Sequence, residues 1–167
     1  MIDPRTSVAF SGHRTYCGDA ADALRRTVGE LYGRGFRTFL SGMAVGFDLA
    51  AAEAVLELRG RLPGVRLVAA VPFRGQEARF PQSDRERFSR VLAAADAVEV
   101  LSPVYHRGCY AVRNDFLVDH ARVLVAWYDG SPGGTHYTVR RAIGRGLEVL
   151  DLHPAAPAMP VPAPTLF

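Results

Sequence analysis

Short apolar runs alternate with amphipathic stretches along the whole chain. The runs are Ser7 to Phe10, Arg37 to Leu40, Arg66 to Val71, Ala97 to Leu101, Val123 to Tyr128 and Leu147 to Leu152. Between them, residues near 18–34, 47–60, 81–95, 109–121 and 135–145 repeat their apolar positions at helical spacing. Runs this short, rich in β-branched residues and lacking polar alternation, suit strands covered on both faces. Strand then helix, repeated, predicts an open, mainly parallel sheet with helices on both faces, joined by right-handed crossovers. The expectation is a single Rossmann-like α/β domain over residues 1–152. Residues 153–167 hold five prolines and neither period, and form a Pro-rich C-terminal tail of extended, polyproline-like character. Its apolar side chains are expected to cover the domain itself or a second copy.

Composition narrows the chemistry. At 167 residues and 49% hydrophobic, the chain fits one domain with a full core. It has no run of about 18 apolar residues and no basic start leading into an apolar stretch, so a cytoplasmic protein with no membrane partner is expected. Two cysteines, Cys17 and Cys109, are too few for a disulfide scaffold or a four-cysteine zinc site, and the five histidines show no metal spacing. All twenty basic residues are Arg. Without Lys, neither a Walker-type phosphate loop nor a pyridoxal phosphate Schiff base can form. The net charge of +3, with only Arg25–Arg26 and Arg140–Arg141 adjacent, gives no basic stripe, so nucleic acid is not an expected partner.

In open α/β sheets, ligands sit beyond the carboxyl ends of the strands, and polar and Gly-rich residues collect there. Ser11, Gly12, His13 and Arg14 follow the first strand; Ser41, Gly42, Gly46 and Asp48 lie after the second. Pro72 to Gln76 and Ser102 to Tyr105 follow the third and fourth, so five loops are expected to face one cleft. The most informative stretch runs from Arg113 and Asn114, on a helix, through the fifth strand to Gly130, Gly133, Gly134 and Thr135. Glycines there let backbone N–H groups approach an anion, the next helix adds its positive end, and Arg113 supplies formal charge from an open cleft. His13 and Arg14 bind phosphate or an oxyanion in this reading. Asp48 either answers the dipole of its own helix or accepts from ribose hydroxyls. Phe73, Tyr105 and Tyr128 stack on a base or pack the sheet margin, and Glu53 is expected in a structural ion pair with an Arg.

The stretches VAFSGHR, FLSGMAVGFDLAAAEAVLEL and RNDFLVDHARVLVAWYDGSPGGTHYTV, with PFRGQ and LSPVYHRG between them, together resemble the SLOG superfamily and within it the YpsA-like branch. The resemblance spans Ser7 to about Leu152. It implies a Rossmann-like fold and a nucleotide or nucleotide-derived ligand, and extends to the LOG phosphoribohydrolases and the Rossmann domain of DprA. LOG enzymes carry Arg-Lys followed, after a helix and a strand, by Pro-Gly-Gly-x-Gly-Thr-x-Glu, and use the Arg and the Glu in catalysis. Here Arg113 matches the Arg, Asn114 stands for the Lys, Gly134 and Thr135 match Gly-Thr, and Tyr137 occupies the Glu position. The resemblance therefore implies binding rather than turnover: a nucleotide sensor or regulatory module, requiring no cofactor, with a homodimer as its expected assembly. Two alternatives remain open. One is a LOG-like hydrolysis of nucleoside monophosphates using Asp48 or Asp115, and the other is DprA-like binding of single-stranded DNA.

Overall fold

The structure, a computed structural model, describes residues 1–155. Six strands, β1 (Ser7–Gly12), β2 (Thr38–Ser41), β3 (Arg66–Val71), β4 (Ala97–Val100), β5 (Val123–Trp127) and β6 (Glu148–Asp151), form one sheet in the order β4-β3-β2-β1-β5-β6. Every neighbouring pair is parallel. The connecting helices are α1 (Ala21–Gly33), α2 (Phe47–Arg59), α3 (Gln82–Ala94), α4 (Cys109–Asp119) and α5 (Gly134–Gly144). This is the Rossmann-like α/β fold expected from the alternating pattern, with every strand end within two residues of its apolar run's end.

The strand period of two sorts side chains between two cores. Val8 and Phe10 of β1 enter a core built with α1, α2 and α3, where Phe10 stacks on Phe39 at 6.0 Å and meets Phe47 edge-on at 6.4 Å. Such pairs add about 0.5–1.5 kcal/mol each beyond their burial. Ala9 points to the other face, where Ala70, Ala126 and Ala142 join leucines and valines of the sheet, α4 and α5. Bulky rings on one side and small side chains on the other set how closely each helix layer rides the sheet.

β4 departs from the expected buried strand. It is the sheet's edge, with Val98 and Val100 each 41% exposed and Glu99 facing solvent between them. A charged residue on an exposed edge discourages pairing with another chain. At the opposite side, His153 lies against Trp127 with ring centroids 4.4 Å apart, so the start of the Pro-rich tail packs on β5. The remainder of the tail, 156–167, and its expected packing lie outside the described residues.

Candidate functional site

The chain leaves β1 towards β2 on one side, while β5 enters on the other. Strand order therefore switches between β1 and β5, and their carboxyl ends, with Gly12 opposite Trp127, open a crevice at that point. A pocket of about 360 Å³ fills it, lined by Ser11, Gly12, His13, Arg14, Ala44, Asp48, Tyr110, Arg113, Asn114, Gly134 and Thr135.

Close backbone approach shapes the floor. A Cβ at Gly12 would stand 2.5 Å from the Phe47 side chain, so only glycine lets β1 run against the start of α2. Gly46 has φ +86°, and a Cβ there would meet the His13 and Arg14 carbonyls at 2.7 Å. Between them Met43 holds φ +63° with its side chain fully buried, a left-handed conformation that costs a non-glycine residue on the order of 1–3 kcal/mol. Ser41 fastens this loop: its hydroxyl donates to the Asp48 carbonyl at 2.9 Å and accepts from the Met43 N–H at 3.2 Å.

Two buried charges face each other across the pocket. The Asp48 carboxylate accepts from the Gly12 N–H at 3.3 Å and the Ala44 N–H at 3.4 Å, tying the loops after β1 and β2 together. Burial pushes its carboxyl up to about 6, against the pull of the Arg113 guanidinium and those two N–H donors. Arg113 is itself 6% exposed, which replaces the expected open position with a buried one. Its Nη1 donates to the Gly42 carbonyl and its Nε donates to Asn114 Oδ1 at 2.8 Å. Burial depresses the guanidinium pKa and the charge of Asp48 opposes that, but an Arg stays protonated throughout the working range. The cause is local: Arg113 lies on the face of α4 that also buries Cys109 and Leu117, and Gly42 leaves its guanidinium the room.

The remaining wall is the turn between β5 and α5. Asp129 is held by the Ser131 hydroxyl and N–H and by His13 Nε2 at 2.8 Å; these, the Ser131 hydroxyl foremost, pull its carboxyl down to about 2. Gly130 (φ +91°) and Gly133 (φ +138°) then bring the chain into α5, so that Gly134 and Thr135 present the positive end of that helix to the pocket.

Nine of the fourteen residues expected to hold a ligand line this pocket. Ser41, Gly42 and Gly46 shape it from behind, whereas Gly130 and Gly133 give its outer turn the required geometry. The five loops do not share one cleft, because Phe73 and Gln76 face a second opening beside the first. Two contributors were missed. Tyr110 lies three residues before Arg113 and hence on the same helical face, a spacing that could have marked it. Ala44 acts through its backbone N–H and leaves no mark in its residue type. Asp115 is engaged outside the pocket, accepting from the Tyr137 hydroxyl at 2.7 Å and pairing with Arg141 at 3.0 Å. Glu53 pairs with Arg87 as expected.

Fold and pocket together define a Rossmann-like domain with a polar, partly cationic pocket at the switch point of a parallel sheet. The chain belongs to the YspA SLOG family, whose family model matches residues 9–146. It is 28% identical over 134 residues to a UPF0398 protein of Bacillus thuringiensis (strain Al Hakam), covering 78% of this chain and 72% of that one. In fold it is similar to DNA processing protein A (DprA) of Streptococcus pneumoniae, with a TM-score of 0.64 and 21% identity over 86% of this chain, which spans 48% of the DprA chain. DprA of Helicobacter pylori, a single-stranded DNA binder, gives a TM-score of 0.62 at 18% identity, covering 88% of this chain and 64% of that one.

Proposed function

We propose that this protein binds a nucleotide or nucleotide-derived phosphate ligand in the switch-point pocket and acts as a sensor or regulatory module without catalysis of its own. The observation carrying this reading is the convergence of the buried Arg113 cation with the positive end of α5 at Gly134 and Thr135. An arginine and a helix N-terminus lining one pocket both favour an anion, and phosphate oxygens suit both. The SLOG family match fits a nucleotide-related role.

A thermal-shift panel of nucleoside phosphates, ADP-ribose and dinucleotides tests it. A ligand at a hundredfold excess over its Kd contributes about 2.7 kcal/mol and raises the melting temperature by roughly 5 °C or more. A flat panel would overturn the reading.

The hydrolytic alternative keeps one foothold, since Asp48 is the carboxylate lining the pocket and burial raises its pKa. Each of its oxygens already accepts a backbone N–H, however, which suits tying loops more than attacking a sugar. A cytoplasmic homodimer completes the proposal. Val112 of α4 and Tyr137 and Ile143 of α5 are 49%, 40% and 47% exposed, leaving that helix layer with apolar surface for a second copy. No described helix is long and apolar enough to cross a membrane.

A further inference from the structure

Beside the phosphate pocket lies a second cleft of about 620 Å³, which shares Arg14 and Tyr110 with it. Its walls come from the loops after β3 and β4, laced together where the Arg74 N–H donates to the Ser102 carbonyl at 3.1 Å. Three rings gather there. Phe73 meets Tyr105 edge-on at 5.4 Å and Tyr110 edge-on at 5.9 Å, and Tyr110 in turn lies 5.8 Å from the Arg113 guanidinium. Tyr105, 62% exposed, stands at the rim without a core to serve.

Gln76 is the telling residue. It begins the short 3₁₀ turn Gln76–Arg79 after Gly75, lines the cleft and is only 5% exposed, yet its Oε1 is buried and meets no hydrogen-bond donor among the described residues. An amide left unpaired in a protein interior lowers stability, and native structures rarely keep one without a use. Gln76 lines the cleft, and because the terminal torsion of Gln is broad and roughly two-fold, its amide can exchange the positions of its oxygen and nitrogen there.

Given the phosphate-binding reading above, on which this rests, we propose that the aromatic cleft is the subsite for the ligand's heterocyclic base, with Gln76 reading the base edge and Tyr105 and Tyr110 flanking its ring. A primary amide offers one donor side by side with one acceptor, the complement of adjacent donor and acceptor atoms on a nucleobase edge. Aromatic faces accept any base plane, so the rings supply affinity and the amide supplies choice. Arg14 and Tyr110, common to both cavities, place base and phosphate within one molecule. A free sugar phosphate would fill the first pocket and leave the second empty.

The experiment compares ribose 5-phosphate with AMP, GMP, CMP and UMP by calorimetry on the full chain, Gln76→Ala and Tyr105→Ala. At least one nucleotide is expected to bind about tenfold more tightly than ribose 5-phosphate. That gap should shrink by a similar factor in both variants while ribose 5-phosphate affinity stays put. Because Tyr105 sits at the exposed rim, its variant keeps the test valid even where Gln76→Ala fails to fold. Equal binding of all five ligands, or a gap untouched in Tyr105→Ala, would overturn the base subsite and leave the phosphate pocket standing. No binding of any of the five would overturn both.

Discussion

Arg113 and Gly42 are matched to each other: the Arg113 Nη1 donates to the Gly42 carbonyl, and a Cβ on Gly42 would stand 2.7 Å from that same nitrogen. The buried cation keeps its place because residue 42 has no side chain. Gly42→Ala should therefore push the guanidinium out of position. The expected result is a loss of phosphate-ligand affinity of about tenfold or more, with stability lowered by about 1–3 kcal/mol through overpacking. Unchanged affinity in a folded Gly42→Ala protein would separate Arg113 from the site.

Arg113→Lys probes the other partner. Lys cannot reproduce the planar fork that reaches Gly42 and Asn114 together. Because these bonds exist without ligand, the empty protein is expected to lose about 1.5–3 kcal/mol in urea unfolding, and ligand affinity should fall as well. An empty protein of unaltered stability would contradict the buried geometry.

Asp48 sets a pH dependence whose direction is opposite to that of an ordinary surface carboxylate. Its carboxyl stands at about 6 in the fold against an ordinary 3.8. Below about pH 4 it is neutral folded or unfolded. Between about 4 and 6 the unfolded chain gives up a proton that the fold retains, so stability drops as pH rises, by about 3 kcal/mol in all, and then levels off. Unfolding midpoints of the wild type minus those of Asp48→Asn, at pH 4, 5, 6 and 7, isolate this slope. A difference that grows with pH would mean that Asp48 is stabilised as an anion.

Two glycines should respond in opposite directions. Gly46→Ala combines φ +86° with backbone carbonyls 2.7 Å from the new Cβ, and is expected to cost more than 2 kcal/mol. Gly29, inside α1, has nothing within 4 Å of its would-be Cβ, so Gly29→Ala should gain about 0.5–1 kcal/mol from helix propensity. Thermal melts of the two variants, read side by side, check the local geometry.

For assembly, light scattering at micromolar concentration is expected to report twice the 18.2 kDa chain mass. An Ile143→Glu and Val112→Glu double variant should return it to a single chain without altering the fold by circular dichroism. A wild-type monomer would remove the dimer from the proposal.

The strands were legible because buried parallel strands need continuous apolar runs, and Val123 to Trp127 is one. Arg113, Asn114, Gly134 and Thr135 were legible because helix, strand, glycine turn and helix follow one another within a single stretch of chain. What stayed hidden depends on contacts between distant segments. The mutual influence of the Asp48 and Arg113 charges joins helices α2 and α4 at positions 65 residues apart in sequence, and the burial of Arg113 depends on the missing side chain at Gly42. The splitting of the expected single cleft follows from β3 and β4 lying on the far side of β2, which strand order decides and local pattern does not.

The two walls of the switch-point pocket differ in how they will answer an incoming ligand. On one side, the β2–α2 loop holds Met43 in a left-handed conformation, locked by Ser41 and by complete burial, so its ordering is complete before anything binds. On the other, residues Asp129 to Gly133 face water. Under the proposed sensor role, a ligand bridging the two walls would order the watery side against the fixed one and act outward through α5, whose first residues line the pocket and whose flank carries Tyr137 and Ile143 at the surface. Hydrogen exchange should accordingly slow at 129–137 on saturation and stay level at 41–48. If the proposed role holds, that asymmetry would be the difference between storing a ligand and announcing it.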